Sequence, residues 1–262
     1  MRVADATLSR QVAIISGGLG DIGSAIAREL ARRGADIAVG DVRDTSAAGG
    51  LADQLRDLNV RHRYDQVDVA NADQVAAWVR AVEGDLGVPS LIIPNAAIVT
   101  VASIRQMTPQ QWSNELRVNL DGAFHLAQAA ALRLLALKCP GRIVFIGSWA
   151  AHAPHNAIPA YCAAKAGLRM LCKCMALDLA GDGILVNEVA PGYVDAGLSA
   201  QVWSTNPPLR EQAAARVPIR KLINADEVAL QVAHLCEPGN RHMTGSVLLM
   251  DGGLSLVTPA RK

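Results

Sequence analysis

Tyr161 and Lys165 are four residues apart, a spacing that sets a phenol and an ammonium on one face of a helix. A phenol can take or give a proton, but its ordinary pKa of about 10 makes it a reluctant acid near neutral pH. A neighbouring positive charge stabilises the phenolate, and a shift of ~3 units needs about 4 kcal/mol of differential interaction. Alone, such a pair is an ordinary surface feature. Ser148, thirteen positions before Tyr161, and Asn119 in the segment VNLDG add a hydroxyl and an amide, and the four together suit general acid/base proton transfer.

Those side chains need a scaffold, and the chain alternates short β-branched runs with longer helical patterns. The runs are Val12 to Ile15, Ile37 to Val39, Arg63 to Val67, Leu91 to Ile93, Arg142 to Ile146, Ile184 to Val189 and Val247 to Met250. Most are uniformly apolar, which marks strands buried on both faces of a parallel sheet. Between them, Ile22, Ile26 and Leu30, and then Val75, Trp78, Val79 and Val82, mark apolar helix faces. Right-handed crossovers turn this alternation into a doubly wound α/β fold, a seven-stranded parallel sheet with helices on both faces. After the first strand comes SGGLGDIG (Ser16 to Gly23), a turn whose glycines let backbone approach a pyrophosphate at a helix N-terminus. The second strand ends in Gly40 and Asp41, where this kind of fold commonly sets a carboxylate on an adenosine ribose 2′-OH. A carboxylate there accepts from a diol and repels a 2′-phosphate, so NAD is expected as the cofactor. Arg43, two residues on, offsets some of that repulsion.

Taken together, these motifs resemble the short-chain dehydrogenase/reductase family over roughly Val12 to Gly253. In the family's TGxxxGxG pattern, Ser16 stands for the Thr, Gly17 and Gly23 match the outer glycines, and Asp21 replaces the middle one. Asp21 is expected to cap the helix that begins at Ile22. Leu19 and Gly20 stand where members that take NADP often carry a basic residue. The resemblance implies further cofactor contacts at Val42, at Asp68 and Val69 beside adenine, and at Asn95, Ala96 and Ala97, where PNAA replaces NNAG. It also implies contacts at Pro191, Gly192 and Val194 beside the nicotinamide, where Ala196 replaces a threonine. DGG at Asp251 to Gly253 matches the family's ending. Asn119, Ser148, Tyr161 and Lys165 match the catalytic tetrad: Ser148 would hold the substrate oxygen, Lys165 would also bind the nicotinamide ribose, and Asn119 would support a water-linked proton path. The implied activity is hydride transfer between NAD(H) and a secondary alcohol or ketone, on a Rossmann-type fold.

With 262 residues the chain suits one dinucleotide-binding catalytic domain over 1–262, with a substrate-loop insertion at about 196–220 where Pro207, Pro208 and Pro218 break the pattern. A net charge of +1, from 25 basic and 24 acidic residues, gives no electrostatic pull toward nucleic acid or anionic lipid. No apolar run reaches the roughly 20 residues of a bilayer span. Five cysteines form no CxxC and no metal spacing, and the start shows no secretory signal pattern, so reduced thiols in a cytoplasmic protein without a metal are expected.

Trp149, His155, Asn156 and Tyr193, with Ile98 and Trp203, are expected to line a substrate pocket around Ser148 and Tyr161. No cluster of basic residues near Ser148 suggests a carboxylate or phosphate, so a neutral sugar, polyol or other small alcohol is favoured. The helices around Asp121 to Leu137 and Tyr161 to Leu179 carry apolar residues on more than one face, which points to a homo-oligomer, a tetramer or dimer. Two competing readings are an NADPH-dependent reductase of 3-oxoacyl thioesters or other carbonyls, and a non-catalytic NAD-binding regulator. The complete tetrad argues against the second.

Overall fold

The computed structural model describes residues 7–197, 203 and 207–257. Seven parallel strands form one sheet in the order β3-β2-β1-β4-β5-β6-β7. They are β1 (Val12–Ser16), β2 (Asp36–Asp41), β3 (His62–Gln66), β4 (Pro89–Ile93), β5 (Gly141–Ile146), β6 (Ile184–Pro191) and β7 (Val247–Met250). Every strand read from the sequence is present, with ends moved by at most two residues.

The helices are α1 (Asp21–Arg32), α2 (Gly49–Asp57), α3 (Ala72–Asp85), α4 (Pro109–Leu116), α5 (Gly122–Leu137), α6 (Pro159–Leu179), α7 (Pro207–Arg216) and α8 (Ala225–Cys236). The pleat explains the uniformly apolar strands, because successive side chains leave opposite faces and both faces are covered. Ala13 and Ile15 of β1 join Leu91 and Ile93 of β4 in a core against α1 and α8. Val12, Ile14 and Ile92, from the same two strands, join the opposite core against α3, α5 and α6. Ile14 and Ile92 are fully buried, and truncating either to alanine would cost about 2–5 kcal/mol.

The chain winds outward from β1 to β3, then crosses back to lay β4 on the other side of β1. That reversal opens a crevice beyond the carboxyl ends of β1 and β4, where α/β sheets bind ligands. Ser16 and Asn95 knit it together. Ser16 Oγ accepts from the N–H groups of Asn95 and Ala96 at 3.0 and 3.2 Å, and Asn95 Nδ2 donates to the carbonyls of Ser16 and Gly17, each at 3.0 Å.

The segment after β6 departs from expectation. Pro207 and Pro208 open α7 rather than interrupt it. Proline fits a helix's first turn because the amide it lacks would have no intrahelical partner there. The expected insertion at 196–220 therefore holds a helix, while 198–202 and 204–206 lie outside the described residues.

Candidate active site

A cleft of about 1020 Å³ runs along the carboxyl ends of the strands. All the expected cofactor residues line it: Gly17, Leu19, Asp21, Ile22, Gly23, Asp41, Val42, Asp68, Val69, Asn95, Ala96, Ala97, Tyr161, Lys165, Pro191, Gly192 and Val194. Ser148, Trp149, His155, Tyr193, Ile98 and Trp203 line it as well. Asn156 does not; it is exposed and outside the cleft, which corrects its expected place in the substrate pocket. Asn119 is also outside the lining, buried beneath it.

At the dinucleotide end the backbone leaves no room for side chains. Gly17 has φ of +61°, and a Cβ there would come within 2.7 Å of Ala96 Cα; a Cβ on Gly23 would lie 2.4 Å from the carbonyl oxygen of Gly17. No side chain caps the first turn of α1, so its amides remain for an anion. The N-cap is Gly20, and Asp21 is the helix's first residue. Its carboxylate does not cap α1 but accepts from the backbone N–H of Gly197 at 2.6 Å, correcting the expected cap. Asp41 accepts from the Leu19 amide at 3.1 Å and from the Arg43 guanidinium at 3.1 Å. Burial works to raise Asp41, but the hydrogen bonds and charge of Arg43, with the Leu19 amide, outweigh it and hold the carboxyl below its ordinary value.

At the chemical end, β5 delivers Ser148 and α6 delivers Tyr161 and Lys165. The Ser148 hydroxyl accepts from the Ala150 amide at 3.1 Å and lies near the Tyr161 phenol on the same cleft. Lys165 Nζ lies 5.5 Å from the centroid of the Tyr161 ring and donates to the carbonyl of Ile146 at 2.8 Å. Burial pushes Tyr161 up to about 12, against the pull of the nearby Ser148 hydroxyl, and Glu115 and Cys162 add to the rise. Burial pushes Lys165 down to about 8, opposed by Glu188. The expected lowering of Tyr161 by Lys165 is not seen, and burial governs the phenol instead. The phenol is therefore protonated near neutral pH.

Asn119 sits in a π-helical turn, Arg117–Asp121, inserted between α4 and α5. Such turns recur at functional sites. Its side chain clamps the backbone of Ile98: Oδ1 accepts from the N–H and Nδ2 donates to the carbonyl, both at 2.8 Å. Oδ1 and Nδ2 both bond the segment after β4, and neither is hydrogen-bonded to Lys165.

The pocket wall is aromatic. The chain has four Trp and three Tyr, and Trp149, Trp203, Tyr161 and Tyr193 all line this cleft. Trp149 meets His155 edge to face at 4.6 Å and Tyr193 at 5.3 Å, and Tyr193 meets Trp203 at 6.4 Å. Burial lowers the pKa of His155, keeping it neutral. Among the described lining residues the only basic side chains are Lys165 and Arg43. Sequence reasoning missed Arg169 and Glu188, which pair beneath Ser148, since each alone reads as an ordinary helix or strand residue. No helix among the described residues is long and apolar enough to cross a membrane.

Comparison with known proteins agrees with this geometry. Residues 18–255 match a family model described as enoyl-(acyl carrier protein) reductase. The chain is 34% identical to cis-4-hydroxycyclohexanecarboxylate dehydrogenase of Sinomonas cyclohexanicum, over 95% of this chain and 98% of that one. It is 30% identical to a 3-oxoacyl-acyl-carrier-protein reductase of Pseudomonas aeruginosa, again over 95% and 98%. A solved structure from Beutenbergia cavernae, 27% identical over 97% of this chain and 100% of that one, superposes with a TM-score of 0.89 and holds NADP at low occupancy. With the fold, the glycine turn and the Ser-Tyr-Lys arrangement in place, the chain belongs to the short-chain dehydrogenase/reductase family of oxidoreductases.

Proposed function

We propose that this protein interconverts a neutral secondary alcohol and its ketone with NAD(H), using Tyr161 as the proton donor and acceptor. The observation that carries the reading is the meeting of Ser148, Tyr161 and Lys165 at one cleft, with the Lys165 ammonium 5.5 Å from the centroid of the Tyr161 ring, one turn back along α6. The nicotinamide, when bound, supplies the hydride acceptor or donor. Ser148 holds the substrate oxygen, and Tyr161 Oη takes the hydroxyl proton during oxidation or returns it during reduction. With the positively charged oxidised nicotinamide bound, Lys165 would help to stabilise the phenolate, and Asn119 fixes the loop through Ile98.

The glycine turn and the uncapped start of α1 fit a diphosphate. The charged Asp41 carboxylate supports NAD over NADP, because it would repel a 2′-phosphate. Arg43, folded onto Asp41 with its side chain 48% exposed, is the observation that favours the competing NADPH-dependent carbonyl reductase. The aromatic wall and the scarcity of cations support a neutral alcohol with a ring face, such as a sugar or an alicyclic alcohol, because aromatic faces pack against C–H surfaces and offer nothing to a carboxylate. The five free thiols support a reducing, cytoplasmic setting.

The test is a panel of cyclic and acyclic secondary alcohols with NAD and NADP, followed by nicotinamide absorbance. Turnover of neutral ring alcohols with NAD is expected. Turnover confined to NADPH and acyl thioesters would replace this reading with the competing one.

A further inference from the structure

Tyr161, Lys165 and Arg169 follow one another at four-residue spacing on α6, so one helix face carries a phenol to the cleft and two basic side chains into the interior. The third is not part of the proton-transfer set. Arg169 is 8% exposed, and Glu188, on β6, is fully buried. Arg169 Nε donates to Glu188 Oε2 at 3.0 Å and Nη2 donates to Oε1 at 2.8 Å, a two-pronged pairing. The same Nη2 donates to the backbone carbonyl of Ser148 at 3.1 Å. Glu188 is packed hard under the residue before Ser148, since a Cβ on Gly147 would fall 1.9 Å from Glu188 Oε1.

We propose that Arg169 and Glu188 form a buried positioning unit that fixes the backbone of Ser148, and so the register of its hydroxyl with Tyr161. This rests on the reading of Ser148 and Tyr161 given above. A buried ion pair is a poor stability device, because apolar side chains of similar volume commonly serve as well. Its use here lies in geometry. Ser148 leaves the end of β5 in an extended conformation, with its hydroxyl held by the Ala150 amide and its carbonyl by Arg169. The guanidinium fork ties α6, β6 and the β5 exit at one point, which a single ammonium or an apolar chain cannot do. A displacement of about 1 Å at a reacting group can cost roughly 100-fold in rate, so a tie at this carbonyl acts on turnover more than on binding.

The experiment compares wild type, Arg169→Lys and the double variant Arg169→Met/Glu188→Met, which leaves no unpaired buried charge. Unfolding midpoint, NADH affinity by fluorescence, kcat and KM are measured on whichever alcohol the wild type oxidises. The double variant is expected to fold and to bind NADH within about three-fold of wild type, with kcat reduced at least ten-fold and KM changed much less. Arg169→Lys, which keeps the charge pair but not the fork, should fall between the two. A folded double variant with kcat within two-fold of wild type would overturn the proposal and leave the pair a packing feature. Should the double variant fail to fold, Arg169→Lys decides on the same readouts: a reduced kcat with unchanged NADH affinity supports the proposal, and an unchanged kcat overturns it. If the wild type oxidises no alcohol, the functional reading fails, and crystals of Arg169→Lys then test the positioning separately. A Ser148 hydroxyl displaced by about 1 Å or more relative to Tyr161, compared with wild-type crystals, upholds it, and an unmoved Ser148 rejects it.

Discussion

The Asp21 carboxylate accepts a hydrogen bond from the backbone N–H of Gly197 at 2.6 Å, joining the first turn of α1 to the segment that follows β6. Both residues line the cleft. The contact straps the mouth of the cleft with a negative charge at the end where a diphosphate would lie. Asp21→Gly removes the charge and the strap together, and NADH should bind roughly five-fold tighter, a gain of about 1 kcal/mol. Fluorescence titration of NADH checks this. Unchanged affinity would show that the carboxylate is remote from the cofactor's charge.

The two directions of reaction should respond differently to pH. Tyr161 is pushed up to about 12, so its protonated form dominates near neutrality. Ketone reduction uses that form and is expected to hold steady between about pH 6 and 8. Alcohol oxidation uses the phenolate, whose fraction rises about ten-fold per pH unit below the pKa, and its kcat/KM should climb over the same range. Initial rates in both directions across a buffer series provide the comparison.

Lys165 makes a prediction about stability. Its folded pKa of about 8 lies below the ordinary value of 10.5, so between those values the unfolded chain binds more protons than the folded one. Stability therefore rises with pH through this window, as the cost of burying the ammonium is relieved, by up to about 3 kcal/mol. Tyr161 acts in the opposite sense, but only above pH 10. Denaturant unfolding at pH 7.5 and 9.5 should show wild type gaining stability relative to Lys165→Met. Parallel pH dependences would place the ammonium in a more solvated setting than its 2% exposure implies.

Assembly is the fourth expectation. Leu132 of α5 and Met170 and Leu177 of α6 are exposed at 58%, 58% and 87%. A second copy of the chain would cover these helix faces, so light scattering at micromolar concentration should return a dimer or tetramer. A monomer would remove the expectation.

The fold was legible because strands buried on both faces need unbroken apolar runs, and helices covering them need apolar stripes. The Ser148, Tyr161 and Lys165 set was legible because its spacing is imposed by one strand end and one helix. Contacts between distant segments were not. Nothing near Asp21 announces Gly197, 176 positions away, and Asp21 looked like a cap because aspartate commonly is one. Arg169 and Glu188 come from different elements and acquire meaning only where α6 crosses β6. Asn156 looked like pocket wall from its position beside His155, but the turn before α6 leaves it exposed.

The central claim is that the Tyr161 phenol carries the proton. Its most direct test is kcat for the best alcohol with wild type and Tyr161→Phe, with NADH affinity measured on both. Loss of the hydroxyl should lower kcat by roughly 1000-fold or more, about 4 kcal/mol of transition-state stabilisation, while NADH binds within about three-fold of wild type. Turnover by Tyr161→Phe at the wild-type rate would contradict the account.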